Sequence, residues 1–205
     1  MTERETEERK KMQRLVEERN DRLNGGRLWR IVDLVINLVA IFVFVFAIRA
    51  TVLEPVRVDG ESMLDTLQNN DYLFVEKVTY AFSSPQAGDI VICYYPDEYY
   101  EVSNKAYRTR VKRVVAVAGD TVETKDGVLY VNGEPVSEPY LSASRSKTER
   151  ISTPVTVGEG EVYVLGDNRV NSNDSRNSMV GPIPLERIVG KAHFVLLPFS
   201  HWRTV

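Results

Sequence analysis

The sequence is poor in the residues that most often build disulfide bridges and metal sites. It has one cysteine, Cys93, so no intrachain disulfide is possible, and the apolar run around Cys93 predicts a small buried core residue. The two histidines, His193 and His201, both lie near the C-terminus, and no cluster of histidine, cysteine or carboxylate has metal-ligand spacing. We therefore expect no metal and no other cofactor.

An excess of charge of one sign is also missing. The 26 lysines and arginines nearly balance the 29 aspartates and glutamates, and the formal net charge is −3. This balance gives no indication of a nucleic-acid partner or of an acidic substrate. The sequence also contains no glycine-rich phosphate loop of the GxxxxGK[ST] or GxGxxG type, so nothing in it indicates nucleotide binding.

What the sequence does contain divides the chain of 205 residues into three segments. Residues 1–26 are mostly charged and predict a solvated helix or a disordered tail, with a short coiled-coil contact as the alternative. The pair Gly25 and Gly26 predicts a hinge at the end of this segment. Residues 27–53 carry one long hydrophobic run, and residues 54–205 form the remaining domain.

The hydrophobic run predicts an uncleaved transmembrane anchor. Between Leu34 and Ile48 only Asn37 is polar, and apolar residues occupy every side of a helix, which disfavours the alternative of a buried core helix. The charged leader is too long for a secretory signal peptide, and no A-x-A-like cleavage site follows the run. Arginines precede the run and mostly acidic residues follow it. The positive-inside rule therefore predicts a single-pass protein of the cell membrane, with a cytoplasmic N-terminus and residues 54–205 outside the cytoplasm.

The domain after the anchor is predicted to be mainly β. Short β-branched and aromatic runs recur along it, and the dipeptides Asp126-Gly127 and Asn132-Gly133 predict hairpin turns with positive φ. Residues 137–160 are polar and predict a loop or flap. Because no convincing helical period occurs outside the anchor, we expect a β-barrel or sandwich joined to one N-terminal transmembrane helix.

Two residues of this domain are candidates for a nucleophile and its base. Ser62 lies just beyond the anchor, and its hydroxyl needs a base, for which a C-terminal histidine, a carboxylate and a lysine are all candidates. Lys112 would share a strand face with Val114 in a strongly apolar segment, where desolvation favours the neutral amine. A lysine in a strand is nevertheless more often a surface residue. Residues 166–176 fit either a solvated loop or a buried hydrogen-bond network that orients a base.

Four segments of the chain carry recognisable motifs in a fixed order. They are Gly60–Leu67 (Gly-x-Ser-Met-x-x-Thr-Leu), Gly88–Ile92 (Gly-Asp-Ile-Val-Ile), Val111–Asp120 (Val-Lys-Arg-Val-Val-x-x-x-Gly-Asp) and Gly166–Arg176 (Gly-Asp-Asn-Arg-x-x-Ser-x-Asp-Ser-Arg). In this order they resemble the sequence boxes of the bacterial type I signal peptidases, the serine–lysine proteases that release exported proteins from the membrane. The resemblance extends from the anchor nearly to the C-terminus, and the single span and modest loop insert are similar to the compact Gram-positive form.

The resemblance implies a role for each matching residue. Ser62 would be the nucleophile, Lys112 the general base, and Ser172 a hydrogen-bond partner that holds the lysine amine toward Ser62. The backbone N–H of Ser62 would serve the oxyanion hole, whereas Gly60 stands where some relatives carry a serine that adds a second donor. The other implied residues are the pairs Asp167 with Arg113 and Asp174 with Arg176, which would brace the site, and Met63, Leu67 and Val111, which would line the substrate pocket.

The resemblance also implies the substrate, an exported preprotein at the membrane surface. Its signal peptide would bind as an added β-strand, with small A-x-A-like residues before the cut. The sequence departs from the family pattern where Asp65 replaces the usual proline, Val170 a common aspartate, and Ala116-Val-Ala118 the usual Gly-Leu-Pro. The alternatives are a catalytically silent or specialised anchored domain that binds exported proteins, which retention of both dyad residues disfavours, and a self-cleaving cytoplasmic regulator, which the anchor disfavours.

Overall fold

The protein has one N-terminal helix followed by a domain of antiparallel strands. The chain forms two compact units, and the division between them falls between Arg49 and Ala50. The predicted fold class, mainly β with one N-terminal apolar helix, is confirmed. The computed structural model describes residues 3–51, 53–96, 109–148, 151 and 153–205.

The N-terminal unit is a single helix, α1 (Glu3–Thr51). It continues through Gly25 and Gly26, so the predicted break at these glycines is wrong. Each glycine costs a helix only about 1 kcal/mol relative to alanine, and the long flanking runs of helix-forming residues outweigh that cost. The part from Thr6 to Ala47 is long and apolar enough to cross a membrane, and its apolar side chains are exposed rather than packed in a protein core.

The second unit contains a larger and a smaller antiparallel sheet. The larger sheet has eight strands in the order β1-β2-β11-β3-β4-β9-β10, with β12 paired to β11. Its strands are β1 (Leu53–Arg57), β2 (Tyr72–Glu76), β3 (Ile90–Cys93), β4 (Arg110–Val117), β9 (Glu161–Leu165), β10 (Ile183–Pro184), β11 (Ile188–Leu197) and β12 (Arg203–Thr204).

The smaller sheet is built from the two predicted hairpins. Asp126 and Gly127 turn the chain with φ values of 51° and 82°, and Asn132 and Gly133 do so with 55° and 81°. Asparagine, aspartate and glycine tolerate this left-handed region better than other residues, which is why these dipeptides end the strands. The strands are β5 (Thr121–Lys125), β6 (Val128–Val131), β7 (Glu134–Pro135) and β8 (Val155–Thr156), in the order β7-β6-β5-β8.

Strand β4 lies inside the larger sheet, between β3 and β9, and packs against more than one apolar cluster. Its Val111 belongs to a cluster with Met63 and Leu67, whereas its Val114 belongs to a cluster with Cys93. Cys93 is fully buried, as predicted. The only described helices of the second unit are α2 (Thr79–Phe82) and three 3-10 turns at Arg169–Asn171, Leu185–Arg187 and Phe199–His201.

Candidate active site

Ser62 lies in the connection from β1 to β2, within residues 60–67, which we call the nucleophile turn. Two apolar residues anchor this turn, since Met63 and Leu67 are buried in the core and the Leu67 N–H donates to the Met63 carbonyl over 2.8 Å. Gly60 has a φ of 108°, which favours glycine, and it lets the chain bend shortly before the serine. The turn therefore has a rigid apolar base and leaves the Ser62 side chain half-buried.

Lys112 lies within hydrogen-bond distance of this serine. Its side-chain nitrogen Nζ is 2.7 Å from Ser62 Oγ and donates to the Val111 carbonyl at 3.1 Å. Lys112 is only 2% exposed, so it is a buried residue and not the surface lysine of the alternative interpretation. Burial lowers the pKa of Lys112 from 10.5 to about 8, an effect that the charge of Asp174 opposes. A neutral amine is therefore accessible near physiological pH.

A cavity of about 220 Å³ opens at this pair. Met63 and Val111, which the resemblance implied for the substrate pocket, lie on its wall. Leu67 is not among the lining residues and is buried in the core. A larger cavity of about 460 Å³ has Ser172 and Asn173 in its wall but neither Ser62 nor Lys112, so volume alone does not identify the site. The smaller cavity is lined by residues 57–63, Tyr95, residues 109–112, Asn171 and Asn173.

Two buried ion pairs surround the serine and lysine, with the partners that the resemblance implied. Asp167 accepts from Arg113 Nε at 2.9 Å and from Arg113 Nη2 at 2.7 Å. The Thr66 hydroxyl also donates to Asp167, at 2.5 Å, and so links this pair to the nucleophile turn. In the second pair, Arg176 donates to Asp174 from Nε at 2.7 Å and from Nη2 at 2.8 Å.

The predicted hydrogen bond between Ser172 and Lys112 is not formed. The Lys112 amine contacts Ser62 and its neighbouring carbonyl instead, and the buried Ser172 Oγ has no hydrogen-bond partner among the described residues. Ser172 packs against Gly166, where a Cβ would come within 2.2 Å of the Ser172 Oγ. Its side chain therefore fills the space that a glycine leaves open.

Two residues that depart from the family pattern, Asp65 and Val170, are not among the residues that line the cavity at Ser62 and Lys112. The Asp65 carboxylate forms an ion pair with Arg145, and the Ser142 hydroxyl and this guanidinium lower the pKa of Asp65. Val170 is exposed to solvent and leaves the pairs around Asp167 and Asp174 intact. The two histidines pair with other acids, His193 with Glu76 and His201 with Asp71, so neither serves Ser62.

Sequence reasoning gave no role to two further residues of the last box. Asn168 is 4% exposed and contacts the nucleophile turn through its backbone and its side chain. Arg169 is buried and donates to Glu138 and to the Thr148 hydroxyl, so it holds the long loop after β7. Both residues stand inside the segment Gly166–Arg176. The available signal in the sequence was the density of polar residues directly after an apolar strand.

A serine hydroxyl beside a buried lysine of lowered pKa is an arrangement that suits a serine hydrolase with a lysine base. The family profile described as "Signal peptidase, peptidase S26" matches residues 31–197. The chain belongs to this family. It is a serine peptidase of the type I signal peptidase class, as the sequence predicted.

Several curated proteins are similar in sequence to most of this chain. Signal peptidase I T of Bacillus subtilis strain 168 is 41% identical over 163 residues, which are 76% of this chain and 80% of the relative. The probable signal peptidase I-1 of Synechocystis is 39% identical over 167 residues, 80% of this chain and 82% of the relative. Signal peptidase I of Bacillus licheniformis is 41% identical over 168 residues, 78% of this chain and 86% of the relative. With the family profile at residues 31–197, these matches show that the similarity extends over most of the chain.

A solved structure is also similar to part of the chain. The crystal structure of a signal peptidase I from Enterococcus faecalis V583 is 30% identical in sequence, with a TM-score of 0.41. The match covers 53% of this chain and 97% of that chain.

Proposed function

We propose that this protein cleaves signal peptides from exported preproteins with Ser62 as the nucleophile and Lys112 as the general base. The observation that carries the proposal is the 2.7 Å approach of the Lys112 amine to Ser62 Oγ. Burial supports it further, because a lysine with a pKa of about 8 is neutral in an appreciable fraction of molecules at neutral pH. An exposed lysine has a pKa of about 10.4, so its amine would be neutral in only about one molecule in a few thousand at pH 7.

The reaction is an acyl transfer in two stages. Neutral Lys112 takes the Ser62 proton while Oγ bonds to the scissile carbonyl carbon, and the backbone N–H of Ser62 donates to the developing oxyanion. When the carbon–nitrogen bond breaks, the lysine ammonium gives its proton to the departing amine. Lys112 then takes a proton from water, which attacks the ester, and returns the proton to Ser62 as the acyl group leaves. No metal or organic cofactor takes part in this scheme.

The two buried ion pairs hold the site rather than react. Arg113 and Asp167 fix β4 against the nucleophile turn through Thr66, so the lysine and the serine keep their separation. Arg176 and Asp174 fix the last box, and Asp174 also opposes the loss of charge from Lys112. Ser172 fills the space beside Gly166 and so supports the packing of the last box.

The substrate proposed for the cavity is an extended signal-peptide segment with small residues before the cut. Met63 and Val111 supply apolar wall, and a volume of about 220 Å³ suits short side chains. A chain added along the domain as a strand would place alternate side chains toward the cavity, which is the spacing of an A-x-A-like motif. The names of the relatives, signal peptidase I, support this substrate class.

The membrane arrangement is part of the same proposal. A segment of about 20 residues spans the hydrocarbon core, so α1, with 49 residues, is longer than a membrane needs. We assign residues 27–53 to the anchor, residues 1–26 to the cytoplasm and residues 54–205 to the extracytoplasmic peptidase domain, with lipid around the anchor. Protease added to intact cells should then digest residues 54–205, and protection of that domain would reverse the orientation.

The decisive test is cleavage of a preprotein by the full chain and by Ser62→Ala and Lys112→Ala. Both variants should lose at least about 1000-fold in rate, because each removes a group that forms or breaks a bond. In the unaltered protein kcat/KM should rise with pH and level off above about 8, where Lys112 is neutral. A variant that keeps full activity would disprove the assignment. If the altered proteins still bind the preprotein and the unaltered protein never cuts it, the domain is a silent binder.

A further inference from the structure

We propose that Asn168 is a positioning residue that points the backbone N–H of Ser62 toward the oxygen of the scissile carbonyl. The inference rests on the proposed function, because it assumes that Ser62 attacks that carbonyl. It concerns a group that touches neither the substrate nor the dyad side chains. Asn168 would act through the peptide unit that precedes Ser62.

Asn168 holds two consecutive carbonyls of the nucleophile turn. Its side-chain Nδ2 donates to the Glu61 carbonyl at 3.0 Å, and its backbone N–H donates to the Ser62 carbonyl, also at 3.0 Å. One residue thus fixes the peptide units on both sides of the Ser62 Cα. With 4% of Asn168 exposed, water does not compete strongly for either hydrogen bond.

The direction of the Ser62 N–H follows from the geometry of a peptide unit. The Glu61 carbonyl and the Ser62 N–H belong to the same trans unit, so they point in opposite directions. When Asn168 holds the Glu61 oxygen on one side, the Ser62 N–H is fixed on the other. Among the described residues nothing accepts a hydrogen bond from this N–H, which leaves the donor available for a ligand.

The same contact strengthens the donor. The Glu61 carbonyl accepts a second hydrogen bond, from the Leu64 N–H at 3.2 Å. A carbonyl that accepts hydrogen bonds withdraws electron density from its own amide, and the N–H of that amide becomes a better donor. The Ser62 N–H is therefore both oriented and polarised before a substrate arrives, which is what an oxyanion donor requires.

Neighbouring contacts hold Asn168 in place. Asp167 is fixed by Arg113 and Thr66. The backbone can approach the turn because Gly166, two residues before Asn168, has no side chain. A Cβ on Gly166 would come within 2.4 Å of the Ser62 carbonyl oxygen. The segment that carries Asn168 thus fits directly against the backbone of the nucleophile turn.

The Asn168 side chain offers a selective substitution. Its Oδ1 is buried and has no hydrogen-bond partner in the described part of the chain, so only Nδ2 is in use. Asn168→Leu keeps a branched side chain of similar size and removes the one donor. The Glu61 carbonyl keeps its bond from Leu64, so the exchange leaves no acceptor without a partner. Asn168→Ala makes the same removal without the bulk.

The experiment measures kcat and KM of the full chain in lipid vesicles with a signal-peptide substrate, across pH. Loss of a whole oxyanion donor costs about 100- to 1000-fold in kcat, and a donor that is present but freed from its support should cost roughly 10- to 30-fold. We expect this fall in kcat with KM within twofold and with the rising limb of the pH profile unmoved. An unmoved limb separates the effect from a general disturbance that reaches Lys112.

Two controls make the result decisive. Asn37→Leu removes an asparagine Nδ2 that donates to a backbone carbonyl, that of Asp33, in the N-terminal helix, and it should leave kcat unchanged. Ser62→Ala tests the proposed function independently. If Asn168→Leu and Asn168→Ala keep the unaltered kcat while Ser62→Ala is inactive, the positioning role is wrong and the dyad stands. Loss of the folded domain in both Asn168 variants, seen by circular dichroism, would assign Asn168 to folding and also overturn the proposal.

Discussion

Two neighbouring cations on β4 have opposite environments. Lys112 and Arg113 are consecutive and both are buried, but Arg113 meets Asp167 in a two-point ion pair whereas Lys112 contacts only a hydroxyl and a carbonyl. Asp167 satisfies the charge of Arg113. In the described part of the chain no carboxylate touches Lys112, and burial lowers its pKa to about 8. Two adjacent residues of one strand thus separate a paired structural charge from the amine that we propose as the general base.

The difference shows how a strand can carry both functions. Adjacent side chains leave a strand on opposite faces, so one partner can be placed for Arg113 without neutralising Lys112. A lysine pKa that falls from 10.5 to about 8 corresponds to roughly 3 kcal/mol of differential interaction. The unpaired cation therefore lowers the stability of the protonated domain, and the paired one should not. Three substitutions test this contrast, from the largest expected effect to the smallest.

Asp167→Ala should give the largest loss of stability, because it removes the carboxylate that pairs with Arg113. It leaves Arg113 buried without its carboxylate and removes the acceptor of Thr66, so we expect a loss of about 3 to 5 kcal/mol in the free energy of unfolding. Denaturant unfolding of the full chain in detergent measures it. The double variant Arg113→Met with Asp167→Leu replaces the pair by apolar groups and should lose much less. Equal losses in the single and double variants would show that the pair is not the cause.

Lys112→Met should raise the free energy of unfolding, in contrast to Asp167→Ala, and it should abolish cleavage. The folded pKa, about 8, lies below the unfolded 10.5, so the burial cost is fully present below pH 8 and disappears as pH rises toward 10.5. The variant should therefore be about 2 to 3 kcal/mol more stable at pH 7, and this gain should shrink between pH 8 and 10.5. Unfolding curves at several pH values measure the difference. A gain that does not depend on pH would mean that lysine protonation is not its source.

Asp65→Asn should change little, although it removes a charge three residues from the nucleophile. The side chains of Asp65 and Arg145 are 48% and 33% exposed, so water screens their ion pair and it contributes little to stability. We expect the denaturant midpoint of unfolding to stay unchanged and kcat/KM to stay within about twofold. Arg145→Gln should have the same effect, and combining both changes should add nothing more. A large loss would show that this loop controls the turn.

The sequence predicted those features that depend on local pattern. The turns at Asp126-Gly127 and Asn132-Gly133, the burial of Cys93 and the apolar face around Lys112 all follow from side-chain type and strand alternation. The prediction of a break at Gly25 and Gly26 failed because the flanking helix outweighs two weak helix formers.

Features that depend on tertiary contacts were not accessible in the same way. The Ser172 hydroxyl lies against Gly166 instead of Lys112, and that choice is made by a rotamer in a packed interior. Leu67 supports the cavity from below because the turn buries it. The contacts of Asn168 with Glu61 and Ser62 join backbone atoms, and backbone partners leave no mark on the residue types of the turn.

The close approach at Gly166 brings together parts of the chain that are synthesised far apart in time. Ser62 is supported by Asn168, more than a hundred positions later in the chain, and by Lys112, 50 positions away. A nascent chain that contains Ser62 but not yet the segment Gly166–Arg176 lacks the hydrogen bonds from Asn168 to the turn. It also lacks the ion pairs that Asp167 and Asp174 form. Contacts so distant in sequence close late in folding. On the proposed mechanism, activity therefore appears only after the last box, Gly166–Arg176, has been synthesised and folded against Ser62.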